Sequence, residues 1–175
     1  FSCDLNQKII NLCAFNEAGN PVVALTQIVY DETTLHIESA RIGLNEAELN
    51  KDFDYSSALR KNNILCRHLG LALGAEIRYN ESPEIGSCMN PAAKFDNVDQ
   101  GQSPDPVDTN SLIKLYHHED VPEFVPLTYK LPESGLYADS TRWGNLVEKI
   151  ASGNLEIYEL HLGEGFKMVT IAQMK

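Results

Sequence analysis

Residues 65–91 read LCRHLGLALGAEIRYNESPEIGSCMNP, and the fold turns on how this stretch is read. Working back from it, Ala58, Leu59, Ile64, Leu65, Leu69, Leu71, Ala72 and Leu73 recur at spacings of three, four and seven, the period of a helix with one buried face. A helix is therefore expected over 58–75, with Ser56-Ser57 able to cap its start. Gly70 and Gly74 interrupt it, each costing about 0.8–1 kcal/mol relative to alanine in a helix interior. Gly74 reads as the helix end, where a left-handed residue closes the last turn.

The same stretch resembles the active site of bacterial, matrixin-like metzincins, a family of zinc proteases. These carry a cysteine followed by H-E-x-G-H-x-L-G-L-x-H, a loop, and then a Met-turn of the form G-S/T-C-M. Here Cys66, Leu69, Gly70, Ala72, Leu73 and Gly74 stand at matching places, and Gly86-Ser87-Cys88-Met89-Asn90-Pro91 is similar to the Met-turn. SARIGLN at 39–45, the tail at 102–120, WGNLVEK and LGEGFKMVTIA extend the resemblance from about Val22 to the end of the chain. It implies an α+β fold: a twisted mixed sheet packed on a central active-site-type helix, a Met-turn around Met89, a C-terminal helix and a β-hairpin. It also divides the chain into a metzincin-like body at 1–120 and a C-terminal extension at 121–175 that packs on the same unit.

The departures fall on the chemistry. The family's motif puts Arg67 at the first histidine, His68 at the catalytic glutamate, Leu71 at the second histidine and Ile77 at the third. In the family three neutral imidazoles hold zinc, and the glutamate takes a proton from the metal-bound water. Arg67 carries a permanent positive charge, and Leu71 and Ile77 have no lone pair to give. No shift of register restores a His-x-x-x-His pair. No catalytic residue and no zinc or other cofactor is therefore expected. His68 is read as a helix-surface or pocket-lining histidine, and Arg67 as a fixed charge paired with a nearby acid such as Glu76.

At 175 residues and 43% apolar content the chain is long enough for one domain with a sizeable core. With 14 basic and 25 acidic residues its formal charge is −11, which disfavours nucleic acid and anionic membranes as partners. No apolar run is long enough for a membrane span, and the chain opens at Phe1 as a mature or trimmed form would. Four cysteines, Cys3, Cys13, Cys66 and Cys88, permit three pairings, and spacing alone leaves all three open, beside four free thiols. The resemblance implies Cys66 with Cys88, leaving Cys3 with Cys13. Such bridges point to an oxidising compartment, hence a secreted, extracellular or periplasmic protein.

The rest of the chain supplies the scaffold. Residues 1–13 suit a short helix, with Leu5, Ile9, Ile10 and Leu12 as its apolar residues. Turns are expected at 17–21 and 31–34, with strands on either side. In active metzincins an edge strand binds extended substrate through main-chain pairing, and residues 26–30 or the segment after them are the candidates for that edge. Residues 91–107 read as a surface loop. Its Asp96, Asp99, Asp105 and Asp108 lack the spacing of a calcium loop, and Asn80-Glu81-Ser82 is a formal glycosylation sequon. A helix follows at 110–118, capped by Asp108 or Thr109 and ending in His117-His118, where the helix dipole favours histidine. Trp143 is expected to pack a terminal hairpin, with strands at 155–162 and 166–172, onto the body.

Two function classes follow. The first is a catalytically inactive metzincin-like module that binds a protein or peptide. The second is a hydrolase whose site is rebuilt from His36, His68, His117, His118 or His161.

Overall fold

A computed structural model describes residues 9–51, 57–79, 82, 86–91, 101–117, 140–152 and 154–175. Strands β1 (Ile10–Phe15), β2 (Val22–Asp31) and β3 (Ile37–Asn45) come first, then the short helix α1 (Glu46–Leu49) and the long helix α2 (Ala58–Ala72). Helix α3 (Pro106–Tyr116) and strands β4 (Asn145–Ile150), β5 (Leu155–Gly163) and β6 (Phe166–Met174) complete the order. The strands form one six-stranded mixed sheet in the order β1-β3-β2-β6-β5-β4, so the architecture is α+β. Only β1 and β3 run parallel; every other neighbouring pair is antiparallel.

The sheet forms around β2, whose first eight residues are all buried. An apolar run interrupted only by Thr26 and Gln27 over its first eight residues suits a strand covered on both faces. On one face α2 lays Ile64 against Val23, Ala24 and Leu49, and Ala72 against Ile28, Ala40 and Ile42. The other face carries Leu25 and Ala172 packed with Trp143, which is fully buried and meets Tyr158 edge-on at 5.0 Å between ring centres. Trp143 thus joins the C-terminal strands to β2, the role expected of it. Gly144, next in the chain, has φ +94°, and a side chain there would overlap the carbonyl oxygen of Glu159.

Helix α2 starts where the serines placed it, with the Ser57 side chain accepting from the Arg60 amide. It ends three residues before the expected 75, because Gly74 adopts φ +85° and closes the helix. The Gly74 amide bonds the Leu71 carbonyl and the Ala75 amide bonds the Gly70 carbonyl, both at 2.9 Å, a Schellman closure.

Several expectations need correction. The described part of the N-terminal segment is not helical: β1 pairs with β3, and its side chains alternate between exposed and half-buried, the strand period rather than the helical one. The segment at 26–30 is not an edge, since β2 lies between β3 and β6, and β3 is interior as well; the edges are β1 and β4. The third helix runs from Pro106, not 110, because Asp105 caps it through the amides of Val107 and Asp108 while Asp108 returns a bond to the Asp105 amide. Residues 145–150 form a strand, so the terminal hairpin is part of a three-stranded meander that builds half of the sheet. The boundary at 120 and the sequon residue Asn80 lie outside the described residues.

Candidate functional site

The four positions at which the resemblance would place chemistry are all occupied by structure. Arg67 is 1% exposed and faces inward from α2. Its Nε donates to the Cys88 carbonyl at 3.0 Å, one terminal nitrogen to Gln173 Oε1 at 3.1 Å, and the other to Asn63 Oδ1 at 2.7 Å. The guanidinium therefore ties α2, the turn at Cys88 and strand β6 together. The pairing expected with Glu76 is replaced by these bonds, since Glu76 lies exposed beyond the helix end.

His68 is not at the surface or in a pocket, as the sequence suggested; it is fully buried against β2. Its Nδ1 lies 2.7 Å from Thr26 Oγ1, which is also 3.3 Å from the carbonyl oxygen of His68. Both contacts are satisfied together when Nδ1–H donates to the hydroxyl and the hydroxyl proton goes to the carbonyl. Nε2 then carries the lone pair, and the Gln173 side chain lies near enough to the ring to interact with it. Burial, with the Arg67 charge beside it, pushes the imidazole down to about 3, so the ring is neutral at physiological pH. Leu71 is 3% exposed in the apolar cluster around Met89, and Ile77 packs at the margin of that cluster.

The turn at 87–90, which the resemblance reads as a Met-turn, serves as a packing device. Met89 is 1% exposed, and a side chain at Gly70 would come within 2.5 Å of its sulfur, so the glycine makes room for it. A disulfide joins Cys66 to Cys88 with Cα atoms 5.9 Å apart, and Cys13 is also disulfide-bonded, while Cys3 lies outside the described residues. From the other side Ser87 bonds Asp108 through its hydroxyl, and Arg78 bridges Asp105 at 2.5 Å and Asp108 at 3.2 Å. Burial would raise the Asp105 pKa, but Arg78 and the amides of Asp108 and Val107 prevail and hold it below the usual carboxylate range. Asp105 and Asp108 are engaged in capping and ion pairing, while Asp96 and Asp99 lie outside the described residues. This lock was missed from sequence, although Asp105-Pro106-Val107-Asp108 is a legible helix start once proline is placed at the first helical position.

Among the described residues the remaining histidines are not gathered at one place. His36 and His117 are exposed, and His161 is exposed with Nδ1 3.3 Å from Glu32; His118 lies outside the described residues. No group of three His, Cys, Asp or Glu side chains is gathered for a metal among the described residues.

What stays open is a groove one turn further along α2. A cavity of about 360 Å³ lies between the helix end and the outer strands, within the range of small-ligand sites at its lower end. Its floor is Ile150, Ile157, Val169 and Ile171, and its wall is Leu71, Ala75, Ile77 and Tyr79, with Glu76 the single charged residue lining it. Comparison of the chain with family models, with characterised proteins and with solved structures returns no match.

Proposed function

We propose that the chain is a catalytically inactive, metzincin-like scaffold that binds a protein or peptide partner, in an oxidising, extracellular or periplasmic setting. The observation that carries this reading is Arg67. Where the family holds zinc by its first histidine, a buried guanidinium is bonded to Cys88, Gln173 and Asn63. A divalent cation does not fit beside it: the like charges repel, and Leu71 and Ile77 supply no donor. The neutral His68, shielded from solvent, is in no position to act as a general base toward a substrate.

Binding is supported by the open groove and by β4, an edge strand whose residues are exposed up to Ile150. The Cys66–Cys88 bridge agrees with an oxidising compartment, and no helix among the described residues is long and apolar enough to cross a membrane.

The test is metal content by mass spectrometry after zinc loading and desalting, run beside hydrolysis of a mixed peptide substrate. The expected result is no stoichiometric zinc and no cleavage. Stoichiometric zinc together with chelator-sensitive cleavage would overturn the proposal in favour of a hydrolase with a rebuilt site.

A further inference from the structure

We infer that the groove beside the outer strands takes a cationic, apolar segment of a partner polypeptide, with a bulky aliphatic or aromatic side chain in the trough and Lys or Arg flanking it. This deepens the reading of the chain as a binding scaffold and rests on it.

The trough is built for an apolar group. Ile157 lies opposite Ile171 in the register of β5 and β6, and with Ile150 and Val169 they make a floor without a polar side chain. The rim is acidic. Glu148 stands opposite Ile157 in the antiparallel register of β4 and β5, so its side chain rises on the groove's own face one strand further out. Glu76 lines the facing wall, and both residues are exposed.

A contrast with their neighbours singles these two out. Glu156 is paired with Lys149 at 2.5 Å, and Glu159 with Lys167 at 3.1 Å. Neither Glu76 nor Glu148 makes an ion pair among the described residues. Two unneutralised carboxylates on opposite sides of an apolar trough, in a chain of net charge −11, select for positive charge on either side of an apolar group. An extended backbone is the favoured carrier. Ile150 belongs both to the trough and to the end of β4, the last strand of the sheet, so a chain leaving the trough meets main-chain groups able to pair with it.

The experiment measures fluorescence anisotropy of the whole protein with a labelled peptide of alternating lysine and valine around one central phenylalanine. Its control is the same peptide with glutamate for each lysine. The basic peptide should bind at least about ten-fold tighter, with the difference shrinking as salt rises. Glu76→Lys combined with Glu148→Lys, both on exposed positions, should weaken the basic peptide at least about ten-fold. Ile157→Arg should abolish binding by filling the trough, with its fold checked by circular dichroism. Equal affinity for the two peptides, no binding of either, or a double variant that binds the basic peptide unchanged would overturn the inference. Mass spectrometry of the same mixtures keeps the two proposals apart. Cleavage of the peptide would sink the inactive-scaffold reading, whereas an intact and unbound peptide would sink only the groove's assignment.

Discussion

Two neighbouring stretches, one within α2 and one running from its last turn past Gly74, face the same sheet and do opposite things. From Asn63 to His68 the helix turns polar groups inward, and each reaches across to another element: Asn63 to the Gly101 carbonyl, Arg67 to Cys88 and Gln173, His68 to Thr26. One turn later, Leu71 and the segment after Gly74 present a largely apolar surface with Glu76 at its edge, and the space opposite them is left open. A buried polar cluster is stable only when its donors and acceptors are matched, so the first stretch rigidifies one arrangement. An apolar trough makes no such demand, which leaves the second free to accept a ligand.

Substitutions at the polar stretch should have the largest effect. Arg67→Met removes the donors to three buried acceptors while roughly keeping volume, and should destabilise by about 3–5 kcal/mol in urea denaturation. A loss below about 1 kcal/mol would show that the guanidinium does not hold the turn at Cys88 to the sheet.

The packing at the join between the two stretches comes next. Met89→Ala should lose about 2–4 kcal/mol. Gly70→Ala should be destabilising alone because its Cβ meets the Met89 sulfur, yet nearly harmless in the Met89→Ala background. Additive losses in a double-mutant cycle would mean that the two residues do not share the space.

Acid should separate the stretches further. His68 is held near 3 in the fold and titrates near 6.5 when unfolded, so between those values the unfolded chain binds a proton that the folded chain refuses. Stability from this group is therefore complete above about pH 6.5 and falls with pH below it, at up to about 1.4 kcal/mol per pH unit. Asp105, with its lowered pKa, adds a loss only when pH drops below the ordinary carboxylate range. Urea midpoints between pH 4.5 and 7.5 test this: His68→Gln should flatten the upper part of that curve, and an unchanged slope would remove His68 as its source.

The smallest effect should come from the groove. Glu76→Gln and Glu148→Gln, exposed and free of ion pairs among the described residues, should change stability by less than about 0.5 kcal/mol. A larger loss would mean that these acids serve the fold rather than the trough.

Much of the scaffold was legible because its signals are local. The serine cap, the left-handed Gly74 and the turns at 17–21 and 31–34 each follow from a few consecutive residues, and the structure keeps all of them. The N-terminal strand was misread because four apolar residues in a short segment fit both periods. Its alternation becomes visible only once β3 supplies a partner for Ile10–Phe15. Arg41, buried in β3 with its Nε 2.6 Å from Gln27 Oε1, which is itself linked through Nε2 to Thr170 at 3.0 Å, gave no local signal at all. A charged residue in a strand reads as solvent-facing until both sheet faces are known to be covered.

From residue order alone came the long capped helix, the absence of a metal-ligating side chain at 67, 71 and 77, the acidic charge and the strands of the terminal hairpin. These depend on covalent chemistry and short-range backbone preference, which neighbouring residues settle among themselves. The tertiary structure decided what Arg67 bonds, that His68 is buried, which strands are edges, and that Glu148 shares a face with Ile157. Those depend on contacts between residues far apart in the chain, such as Arg67 and Gln173, whose separation of 106 positions leaves no trace in local pattern.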